Sequence, residues 1–401
     1  EDSIDEIREA VDFLRYYSQC AIDLKPIIQR GPTGEDNILE YGSKGIVLCI
    51  SPWNFPLAIT LGQIAAALAA GNTVISKPSE HTPILAFEAI NLFIDQGLPE
   101  DAIHLFLGKG DIAQAIILNQ PIDLVAFTGS LKTAKMIHQS LSSKAGKIIP
   151  LIAETGGLNS MIVDSSALLE RACDDIIRSA FNSAGQRCSA LRLLLIHQEI
   201  YPQLISMLKG AMKDLTIGAP SDLNVDVGPI IDTHSLKKLE NYLDQMKSNG
   251  HAIFQTSKEG IPNNGCLLPP TLIELELSNM PDEEQFGPIL HAASFSEENL
   301  IDSLKEIDAK GFALTFGIHT RIDAKALDVA KNTSSGNIYI NRDIVGAVVE
   351  TQPFGGKNLS GSGFKAGGPN YLLQFMDERV VTVNTVAIGG NIDLINLNHD
   401  E

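Results

Sequence analysis

A cysteine lies where a nucleophile could act. Cys188, within FNSAGQRCSALR, stands between a helical pattern broken at Gly185 and the apolar run LRLLLI, which predicts a strand. A side chain at such a junction can face a cleft, where a thiolate would attack a carbonyl carbon. No histidine lies close to it in the sequence, so a protease-like Cys–His dyad has little support. The competing interpretation is a small residue buried under the strand.

Two other polar residues could serve the same reaction. Glu154 ends the apolar pattern in IAETGGLNS, and Gly156–Gly157 leave room beside it for a general base. A surface carboxylate before a tight turn explains this pattern equally well. Asn54, in SPWNFPLAIT, lies at a strand-to-helix turn where its amide could donate to a developing oxyanion. The competing interpretation is a helix N-cap beside a tryptophan packed in the core.

The glycines give an irregular signal for a nucleotide. The segment 108–110 reads Gly-Lys-Gly, but the third glycine of a dinucleotide fingerprint falls on Ala113. FTGSLKTAK at 127–135 predicts a strand–Gly–helix turn whose helix N-terminus could face a pyrophosphate. In VISKPSE, Lys77 and Glu80 follow a strand, and a carboxylate there can accept from ribose hydroxyls and repel a 2′-phosphate.

Strand and helix patterns alternate from about residue 44 onward. GIVLCIS and NTVISKP read as strands, and PLAITLGQIAAALAAG between them reads as a helix that ends at Gly71. A second series of the same kind runs from about Lys147 to residue 340. This order predicts parallel sheets with crossover helices, and hence an α/β protein with two doubly wound domains. The predicted divisions of the chain are 1–153, 154–355 and 356–401.

Two β patterns stand apart from this alternation. LKPIIQRGPTGEDNILEYG, within about 20–42, reads as a polar hairpin, and RVVTVNTVA at 379–387 alternates like an exposed strand. Isolated strands need a partner, so we predict a small β flap that joins chains into an oligomer by sheet extension, most simply a dimer. The alternative is a surface flap of the monomer.

Composition excludes several classes of function. The 401 residues are 44% hydrophobic and 20% charged, which is typical of a soluble globular protein of two or more domains. A net charge of −19 argues against binding to nucleic acid or to an anionic membrane. The five cysteines show neither disulfide nor zinc spacing, so we predict no metal site and a cytoplasmic location. No transmembrane run or secretion leader is found.

The motifs, taken in order, resemble those of the aldehyde dehydrogenase superfamily along nearly the whole chain. The series is SPWNFP, KPSEHTP, FTGS, ETGG, GQRCSA, EEQFGP and QPFGG. Longer segments are similar to the L-glutamate γ-semialdehyde (1-pyrroline-5-carboxylate) dehydrogenase module of bacterial bifunctional proline-utilisation proteins. These segments are AVDFLRYY, SAGQRCSALR, NRDIVGAVVETQPFGG, LSGSGFKAGGPNYL and VTVNT.

The resemblance implies a role for each candidate catalytic residue. Cys188 would attack the aldehyde, and the Asn54 amide with the Cys188 backbone N–H would hold the oxyanion. After hydride transfer to NAD, Glu154 would activate the water that hydrolyses the thioester to L-glutamate. Residues 1–153 would form the NAD-binding domain, 154–355 the catalytic domain, and 356–401 a return segment with the oligomerisation strand.

The resemblance also implies binding residues. For the cofactor NAD they are Ser51, Pro52, Trp53, Lys77, Glu80, Gly129, Ser130, Glu284 and Phe286. For the substrate they are Ser189, Gly346, Ala347, Phe181, Phe354, Glu9 and Arg187. Ser189 and the Gly346–Ala347 turn would hold the α-carboxylate, the two phenylalanines would flank the aliphatic stem, and Glu9 would lie near the ammonium.

The sequence departs from the family at a few positions. Gln114 replaces a glycine, Leu131 stands where many members have threonine, and Ala347 can offer only its backbone N–H where some relatives have serine. Because the chain opens directly in a helix, we expect a fragment whose proline dehydrogenase partner domain, and a DNA-binding segment in some relatives, lie elsewhere in the parent chain. Two alternatives remain open: a scaffold without activity, and an enzyme for an unsubstituted aliphatic aldehyde.

Overall fold

The computed structural model describes residues 2–29, 31, 34–257, 265–385 and 387, which belong to two compact units. Unit 1 contains the described residues of Glu1–Ser3, Phe127–His138 and Ala153–Lys365. Unit 2 contains the described residues of Ile4–Ala126, Gln139–Ile152 and Ala366–Glu401. Phe127–His138, which the sequence assigned to the first domain, is grouped with unit 1. The predicted domain boundaries stay predictions.

Helices and strands alternate along most of the described chain, which confirms the α/β class. The helices are α1 Asp2–Asp23, α2 Ala58–Ala69, α3 Pro83–Asp95, α4 Gly110–Asn119, α5 Leu131–Ser143, α6 Leu169–Phe181, α7 Tyr201–Asp214, α8 Thr233–Ser248, α9 Leu300–Ala309 and α10 Asp323–Lys331. The strands are β1 Ile27–Gln29, β2 Glu35–Ser43, β3 Ile46–Ile50, β4 Thr73–Lys77, β5 Ile103–Leu105, β6 Leu124–Thr128, β7 Leu151–Glu154, β8 Ser160–Val163, β9 Leu193–His197, β10 Ala252–Gln255, β11 Thr271–Glu274, β12 Ile289–Phe295, β13 Phe312–Ala313, β14 Thr315–His319, β15 Asn337–Ile340, β16 Lys357–Asn358 and β17 Met376–Asn384. Among the described residues, no helix combines the length and the apolar character needed to span a membrane.

Unit 2 contains most of a five-stranded sheet with the strand order β5-β4-β3-β6-β7. β4 pairs in parallel with both β3 and β5. Residues 47–50 of β3 are all buried, as expected for a parallel strand covered on both faces. α2 is apolar and largely buried, and the chain turns after it at Gly71 with a φ of 83°. Glycine adopts this left-handed conformation without steric cost, which explains the predicted end of the helix.

Unit 1 is built on a seven-stranded sheet with the order β10-β11-β12-β9-β8-β14-β15. Its neighbouring strands run parallel, except that β10 is antiparallel to β11. Both faces are covered by hydrophobic clusters, one around Leu194 and Ile176 and the other around Leu195 and Phe316. Because β8, β9, β12, β14 and β15 run parallel, their amino ends lie along one edge of the sheet.

The two isolated β patterns pair with each other within one chain. β1 and β2 form an antiparallel hairpin, and β2 pairs with β17 over nine positions, from Met376↔Ser43 to Asn384↔Glu35. Parts of the hairpin turn and residues 388–401 lie outside the described residues. Since each strand has a partner in its own chain, sheet extension to a second chain could use only the outer edges of β1 and β17.

Candidate active site

Cys188 lies in a turn between α6 and β9, with its side chain half-buried. α6 ends at Phe181, and the chain continues through left-handed conformations, with φ values of 53° at Ser183 and 64° at Gly185. A Cβ atom at Gly185 would lie 2.2 Å from the backbone oxygen of Gly287, so glycine is needed for this close approach. The predicted helix–strand junction is confirmed. The five cysteines are all described, and none forms a disulfide.

Asn159 fixes the backbone that follows Cys188. Its Nδ2 donates to the backbone oxygens of Cys188 at 2.7 Å and Ala190 at 2.9 Å, and its Oδ1 accepts from the Thr315 amide at 3.1 Å. The side chain is only 2% exposed, so its amide needs these partners. Sequence reasoning missed this residue, because its partners Cys188 and Thr315 are distant in the chain.

Glu154 ends β7 and points its half-buried carboxylate into a glycine-rich loop. Its backbone oxygen accepts from the Gly129 amide at 3.0 Å. Burial raises the pKa of Glu154 to about 8, while a hydrogen bond from the Gly356 amide and the charge of Lys365 lower it. A carboxylate with a pKa near neutral pH suits a general base, because it gains and releases protons in the working range.

Glycines line the Glu154 carboxylate on two sides. A Cβ atom at Gly355 would lie 3.1 Å from Oε1, and one at Gly361 would lie 3.2 Å from Oε2. Both contacts are tighter than ordinary van der Waals contact between a side chain and its neighbours. The glycines of QPFGGKNLSGSG therefore make the space that this carboxylate occupies.

Lys365 is a second residue that sequence reasoning missed. Its Nζ donates to the Asn337 Oδ1 at 2.7 Å and to the backbone oxygens of Gly336 and Gly355 at 2.5 and 3.1 Å. Burial lowers the pKa of Lys365, and the charge of Glu154 raises it. The Lys365 Cα also lies within 3.3 Å of where a Gly355 Cβ would be, on the glycine that borders Glu154. The carboxylate and the ammonium are therefore electrostatic neighbours.

Arg192 connects the Cys188 turn to Glu284 and Phe286, two of the predicted NAD-binding residues. It is 1% exposed, and its Nη2 donates to the Glu284 Oε1 at 3.0 Å and to the Arg187 backbone oxygen at 3.2 Å. Nη1 donates to the Gly287 backbone oxygen at 3.1 Å, and the guanidinium lies 5.4 Å from the centre of the Phe286 ring. The buried Arg192 guanidinium is thus hydrogen-bonded both to the turn at Arg187 and to the segment from Glu284 to Gly287.

The Glu284 carboxylate lies directly against the two glycines that follow Glu154. A Cβ atom at Gly156 would be 1.8 Å from the Glu284 Oε2, so no side chain fits there. Burial raises the pKa of Glu284, and Arg192 together with the Gly157 amide lowers it. Gly156 thus borders Glu284, whereas a Cβ atom at Gly157 would meet Asn159 and Leu314, so the predicted room beside Glu154 stays a prediction for this pair.

Two predicted substrate residues flank Cys188 in the chain. Ser189 is 7% exposed, and its backbone oxygen accepts from the Thr315 hydroxyl at 3.2 Å. Arg187 is also buried, and its guanidinium donates to the Ser183 hydroxyl at 2.9 Å and to Asp2 at 3.0 Å. Arg187 is therefore engaged in a local ion pair within unit 1.

The remaining predicted substrate residues differ in their surroundings. Gly346 is exposed, Ala347 and Phe354 are half-buried, and all three follow β15 in unit 1. Phe181 is 1% exposed and packs in the core of unit 1, which leaves little of its ring for a substrate. Glu9 is half-buried on α1 in unit 2. The substrate roles of these residues stay predictions.

The site residues of unit 1 gather at the amino edge of its sheet. Asn159 precedes β8, Cys188 and Arg192 precede β9, Glu284 precedes β12, and Gly336 precedes β15. Because these strands run parallel, their amino ends meet at the same edge. Glu154 is the last residue of β7, and the short segment after it reaches the amino end of β8 at this edge.

In unit 2, predicted cofactor residues follow the carboxyl ends of β3 and β4. Ser51 is buried and its hydroxyl accepts from the Thr60 hydroxyl at 2.6 Å. The Ser51 amide donates to the Lys77 backbone oxygen at 3.3 Å, and the Lys77 Nζ lies 3.6 Å from the Glu80 carboxylate. The carboxyl edge of a parallel sheet is where nucleotides bind in doubly wound folds.

Asn54 does not cap the helix that follows it. α2 begins at Ala58, and its N-cap position is Leu57, whose amide donates to the Glu6 carboxylate at 2.7 Å. The alternative interpretation of Asn54 as an N-cap is therefore wrong. The neighbouring Trp53 is half-buried, as is Pro52. Asn54 lies in unit 2, whereas Cys188 and Glu154 lie in unit 1.

Gly129 and Ser130 form the predicted strand–Gly–helix turn between β6 and α5. The Ser130 hydroxyl accepts from the Thr133 amide at 3.2 Å, in the manner of an N-cap. A Cβ atom at Gly129 would lie 2.6 Å from the Phe127 ring, so the turn needs glycine. Among the departures from the family pattern, Leu131 begins α5 and Gln114 is exposed on α4.

A search of the described residues for three or more histidine, cysteine, aspartate or glutamate side chains able to hold a metal ion finds no such group. The polar groups described above are amides, carboxylates, hydroxyls, guanidiniums and the ammoniums of Lys77 and Lys365. Such groups can bind an organic substrate and a nucleotide.

Comparisons with known proteins identify relatives of this chain. The sequence model of the aldehyde dehydrogenase family matches residues 1–381. The bifunctional protein PutA of Escherichia coli (strain K12) is 44% identical over 397 residues, which are 96% of this chain and 29% of that protein. 1-Pyrroline-5-carboxylate dehydrogenase 1 of Halalkalibacterium halodurans is 34% identical over 388 residues, covering 93% of this chain and 73% of that protein.

A solved structure shows the same architecture. The crystal structure of 1-pyrroline-5-carboxylate dehydrogenase from Thermus with bound NAD superposes with a TM-score of 0.88 at 29% identity. The match covers 95% of this chain and 74% of that chain. By contrast, this chain spans only 28% to 30% of the length of the PutA proteins that it matches.

Proposed function

The chain belongs to the aldehyde dehydrogenase family, and from that premise we propose that it oxidises L-glutamate γ-semialdehyde, formed from 1-pyrroline-5-carboxylate, to L-glutamate with NAD. The observation that carries the proposal is a half-buried cysteine and a half-buried carboxylate at one edge of the unit 1 sheet, Cys188 and Glu154. The first suits attack on an aldehyde, and the second suits activation of water. The relatives named 1-pyrroline-5-carboxylate dehydrogenase support this aldehyde as the substrate.

The proposed reaction begins with a carbon–sulfur bond. The Cys188 thiolate adds to the aldehyde carbon, and the carbonyl oxygen becomes an oxyanion. The family resemblance assigns the Asn54 amide and the Cys188 backbone N–H to this oxyanion. Bound NAD supplies the acceptor for the hydride that leaves the same carbon, so the adduct on Cys188 becomes a thioester.

The second half of the reaction needs a base. Water attacks the thioester carbon, Glu154 takes the proton of that water, and the carbon–sulfur bond breaks to give L-glutamate and free Cys188. Because the pKa of Glu154 is about 8 in the structure without ligands, a fraction of the enzyme carries the carboxylate at neutral pH. Asn159 and Arg192 hold the Cys188 turn, and Gly355 and Gly361 leave space for Glu154.

The cofactor proposal rests on the donor set after the strands of unit 2. The buried Lys77 ammonium can donate to ribose hydroxyls, and the Glu80 carboxylate can accept from them and would repel a 2′-phosphate. This charge pattern favours NAD over NADP. The full proposed set is Ser51, Pro52, Trp53, Lys77, Glu80, Gly129, Ser130, Glu284 and Phe286.

The substrate proposal rests on local donors, since the overall charge of −19 repels an anion. We assign the α-carboxylate to the Ser189 hydroxyl and the backbone amides of Gly346 and Ala347. Phe354, Phe181, Arg187 and Glu9 keep the substrate roles that the family resemblance implies. Phe181 has the least structural support, because its ring is buried.

The substrate is tested by comparing NADH production from 1-pyrroline-5-carboxylate with that from propanal. We expect a strong preference for the first, because propanal lacks the carboxylate that Ser189 and the Gly346–Ala347 turn would hold. Ser189→Ala should reduce this preference, whereas Ser248→Ala, on the exposed end of α8, should not. Equal rates with both aldehydes contradict the substrate, and no NADH from any aldehyde favours the scaffold alternative.

Three further proposals concern the setting of the enzyme. The outer edges of the β1–β2–β17 sheet support an oligomer, most simply a dimer, formed by strand pairing. The PutA relatives support a proline dehydrogenase domain in the parent chain. The five cysteines without a disulfide support a cytoplasmic location.

A further inference from the structure

Arg342 donates hydrogen bonds to the backbone of the turn that carries Gly346 and Ala347. Arg342 Nε donates to the Asp343 backbone oxygen at 3.0 Å, and its Nη2 donates to the Val345 backbone oxygen at 3.2 Å. Nη2 also donates to the Asp343 carboxylate at 3.1 Å. A guanidinium that makes several bonds in a fixed plane restrains the backbone more than a flexible ammonium would.

The backbone amides of Ile344 and Val345 in this turn are hydrogen-bonded to side chains. The Val345 amide donates to the Asp343 Oδ1 at 3.2 Å, and the Ile344 amide donates to the Ser179 hydroxyl at 3.1 Å. Within the described part of the chain, the amides of Gly346 and Ala347 make no hydrogen bond. The turn is thus fixed up to Val345 and offers its next two donors to a ligand.

The conformation of Gly346 opens this end of the turn. Its φ of 69° lies in the left-handed region, and a Cβ atom there would meet no atom within 4 Å. The residue is exposed, so a small anion can approach its amide. Backbone N–H groups presented in this way form an anion-binding concavity.

Two arginines lie beside this turn. The guanidiniums of Arg342 at 3.1 Å and Arg178 at 3.7 Å share the carboxylate of Asp343. The Arg342 guanidinium also lies 5.0 Å from the centre of the Tyr339 ring, and Tyr339 is an electrostatic neighbour of Cys188. Tyr339 therefore connects the Arg342 guanidinium with the surroundings of Cys188.

We propose that Arg342 is a positioning residue for substrate recognition: it locks the 343–347 turn so that the amides of Gly346 and Ala347 receive the α-carboxylate of the aldehyde. This role rests on the proposed function, because Arg342 holds the turn that would bind the substrate carboxylate. Arg342 does not touch the reacting atoms in this account, so its loss affects binding of carboxylate-bearing ligands rather than the chemical steps.

The test compares Arg342→Gln and Arg342→Lys with a matched control, Arg321→Gln. Arg321 is an exposed arginine of unit 1 that also donates to a backbone oxygen, that of Ser166, at 2.5 Å. KM and kcat are measured with 1-pyrroline-5-carboxylate and with propanal, and the inhibition constant of L-glutamate is measured as a readout of binding alone.

Loss of hydrogen bonds that involve a charged group predicts a KM for 1-pyrroline-5-carboxylate that rises about tenfold or more in Arg342→Gln, with kcat changed less than about twofold. The L-glutamate inhibition constant should rise in parallel, and the propanal KM should stay the same. Arg342→Lys should be intermediate, and the control should match the wild type.

The inference is overturned if both aldehydes are affected equally, which indicates a structural role, or if neither is affected. Should Arg342→Gln fail to fold, Arg342→Lys decides by the same comparison, because it keeps the charge but not the fork of donors. A wild type without preference for 1-pyrroline-5-carboxylate contradicts the proposed function itself. A wild-type preference that survives intact in both variants contradicts only the role of Arg342.

Discussion

At the residue scale, Glu154 is a carboxyl group in a place that disfavours its charge. Burial raises its pKa to about 8, and the Gly356 amide and Lys365 limit that rise. Hydrolysis of a thioester needs the ionised form, because only a carboxylate can take a proton from water. The surroundings of Glu154 therefore set the pH range in which the last step can run.

We expect the rate of thioester hydrolysis to rise as the pH increases through about 8, the pKa of Glu154. The measurement is kcat against pH under conditions where hydrolysis limits turnover. Glu154→Gln should lose this dependence and most of the steady-state rate, while it keeps a first burst of NADH. A hydrolysis rate that is flat, or that falls, across this pH range contradicts the role of Glu154.

Replacing Lys365 should move that profile. Its charge lowers the pKa of Glu154, so Lys365→Met should shift the rise in hydrolysis rate to higher pH. Lys331→Met is the matched control, because Lys331 is exposed at the end of α10 and is not a cause of the pKa shifts of Glu154 and Lys365. Profiles of Lys365→Met and wild type that superpose would show that the ammonium does not influence the base.

These residues also show what the sequence could predict of the site. Cys188 and Glu154 became candidates because each lies at the end of a predicted element, and the family resemblance assigned their roles. Lys365 and Asn159 did not, because their partners are distant in the chain: Asn337 is 28 positions from Lys365, and Cys188 is 29 from Asn159. Such contacts depend on how strands and loops are brought together, which no local pattern records.

At the scale of elements, the proposed catalytic residues lie at the amino edge of the unit 1 sheet. In doubly wound folds ligands usually bind at the carboxyl ends of the strands, and the proposed cofactor residues Ser51 and Lys77 in unit 2 lie at such ends. In unit 1 the turn before β9 and the loops before β8 and β15 carry the proposed site instead. The alternation of strands and helices predicted both sheets, but it could not predict which edge of the second would be used.

Gly185, which lies close to the backbone of Gly287, should be the position most sensitive to an added methyl group. Gly185→Ala places a Cβ atom 2.2 Å from the Gly287 oxygen in a residue with a φ of 64°. We expect the free energy of unfolding to fall by about 3 kcal/mol, from steric overlap and left-handed strain together. Chemical denaturation measures the change.

The control for this substitution is Gly250→Ala. Gly250 has a φ of 84°, but a Cβ atom there would meet nothing within 4 Å. Strain alone should then cost about 1 kcal/mol. Equal losses in the two variants would show that the close approach of Gly185 to Gly287 does not contribute.

At the scale of the whole molecule, the outer edges of the β1–β2–β17 sheet are the proposed contact with a second chain. The strands satisfy one another within the chain, which the isolated patterns in the sequence could not reveal because they lie at opposite ends of it. The exposed outer edge of β17 carries Val380, 61% exposed, and Val383, 44% exposed. An apolar edge of this kind favours pairing with a second copy.

We therefore expect Val380→Lys to weaken the proposed oligomer, since a charge on an edge strand opposes strand pairing. Light scattering over a range of protein concentrations should show a lower mass for this variant than for the wild type. Leu327→Lys, on the exposed face of α10 and 57% exposed in the wild type, is the control and should not change the mass. A wild type that is monomeric throughout contradicts the oligomer.

If Cys188 carries the substrate as a thioester and Glu154 releases it, the thioester should accumulate when Glu154 cannot act as a base. Glu154→Gln is mixed with 1-pyrroline-5-carboxylate and NAD, and the intact mass of the protein is measured after denaturation. We expect a mass increase of one glutamyl group, accompanied by about one NADH per active protein, and neither signal from Cys188→Ala. An adduct that persists without Cys188, or NADH formed with no adduct on Glu154→Gln, would contradict it.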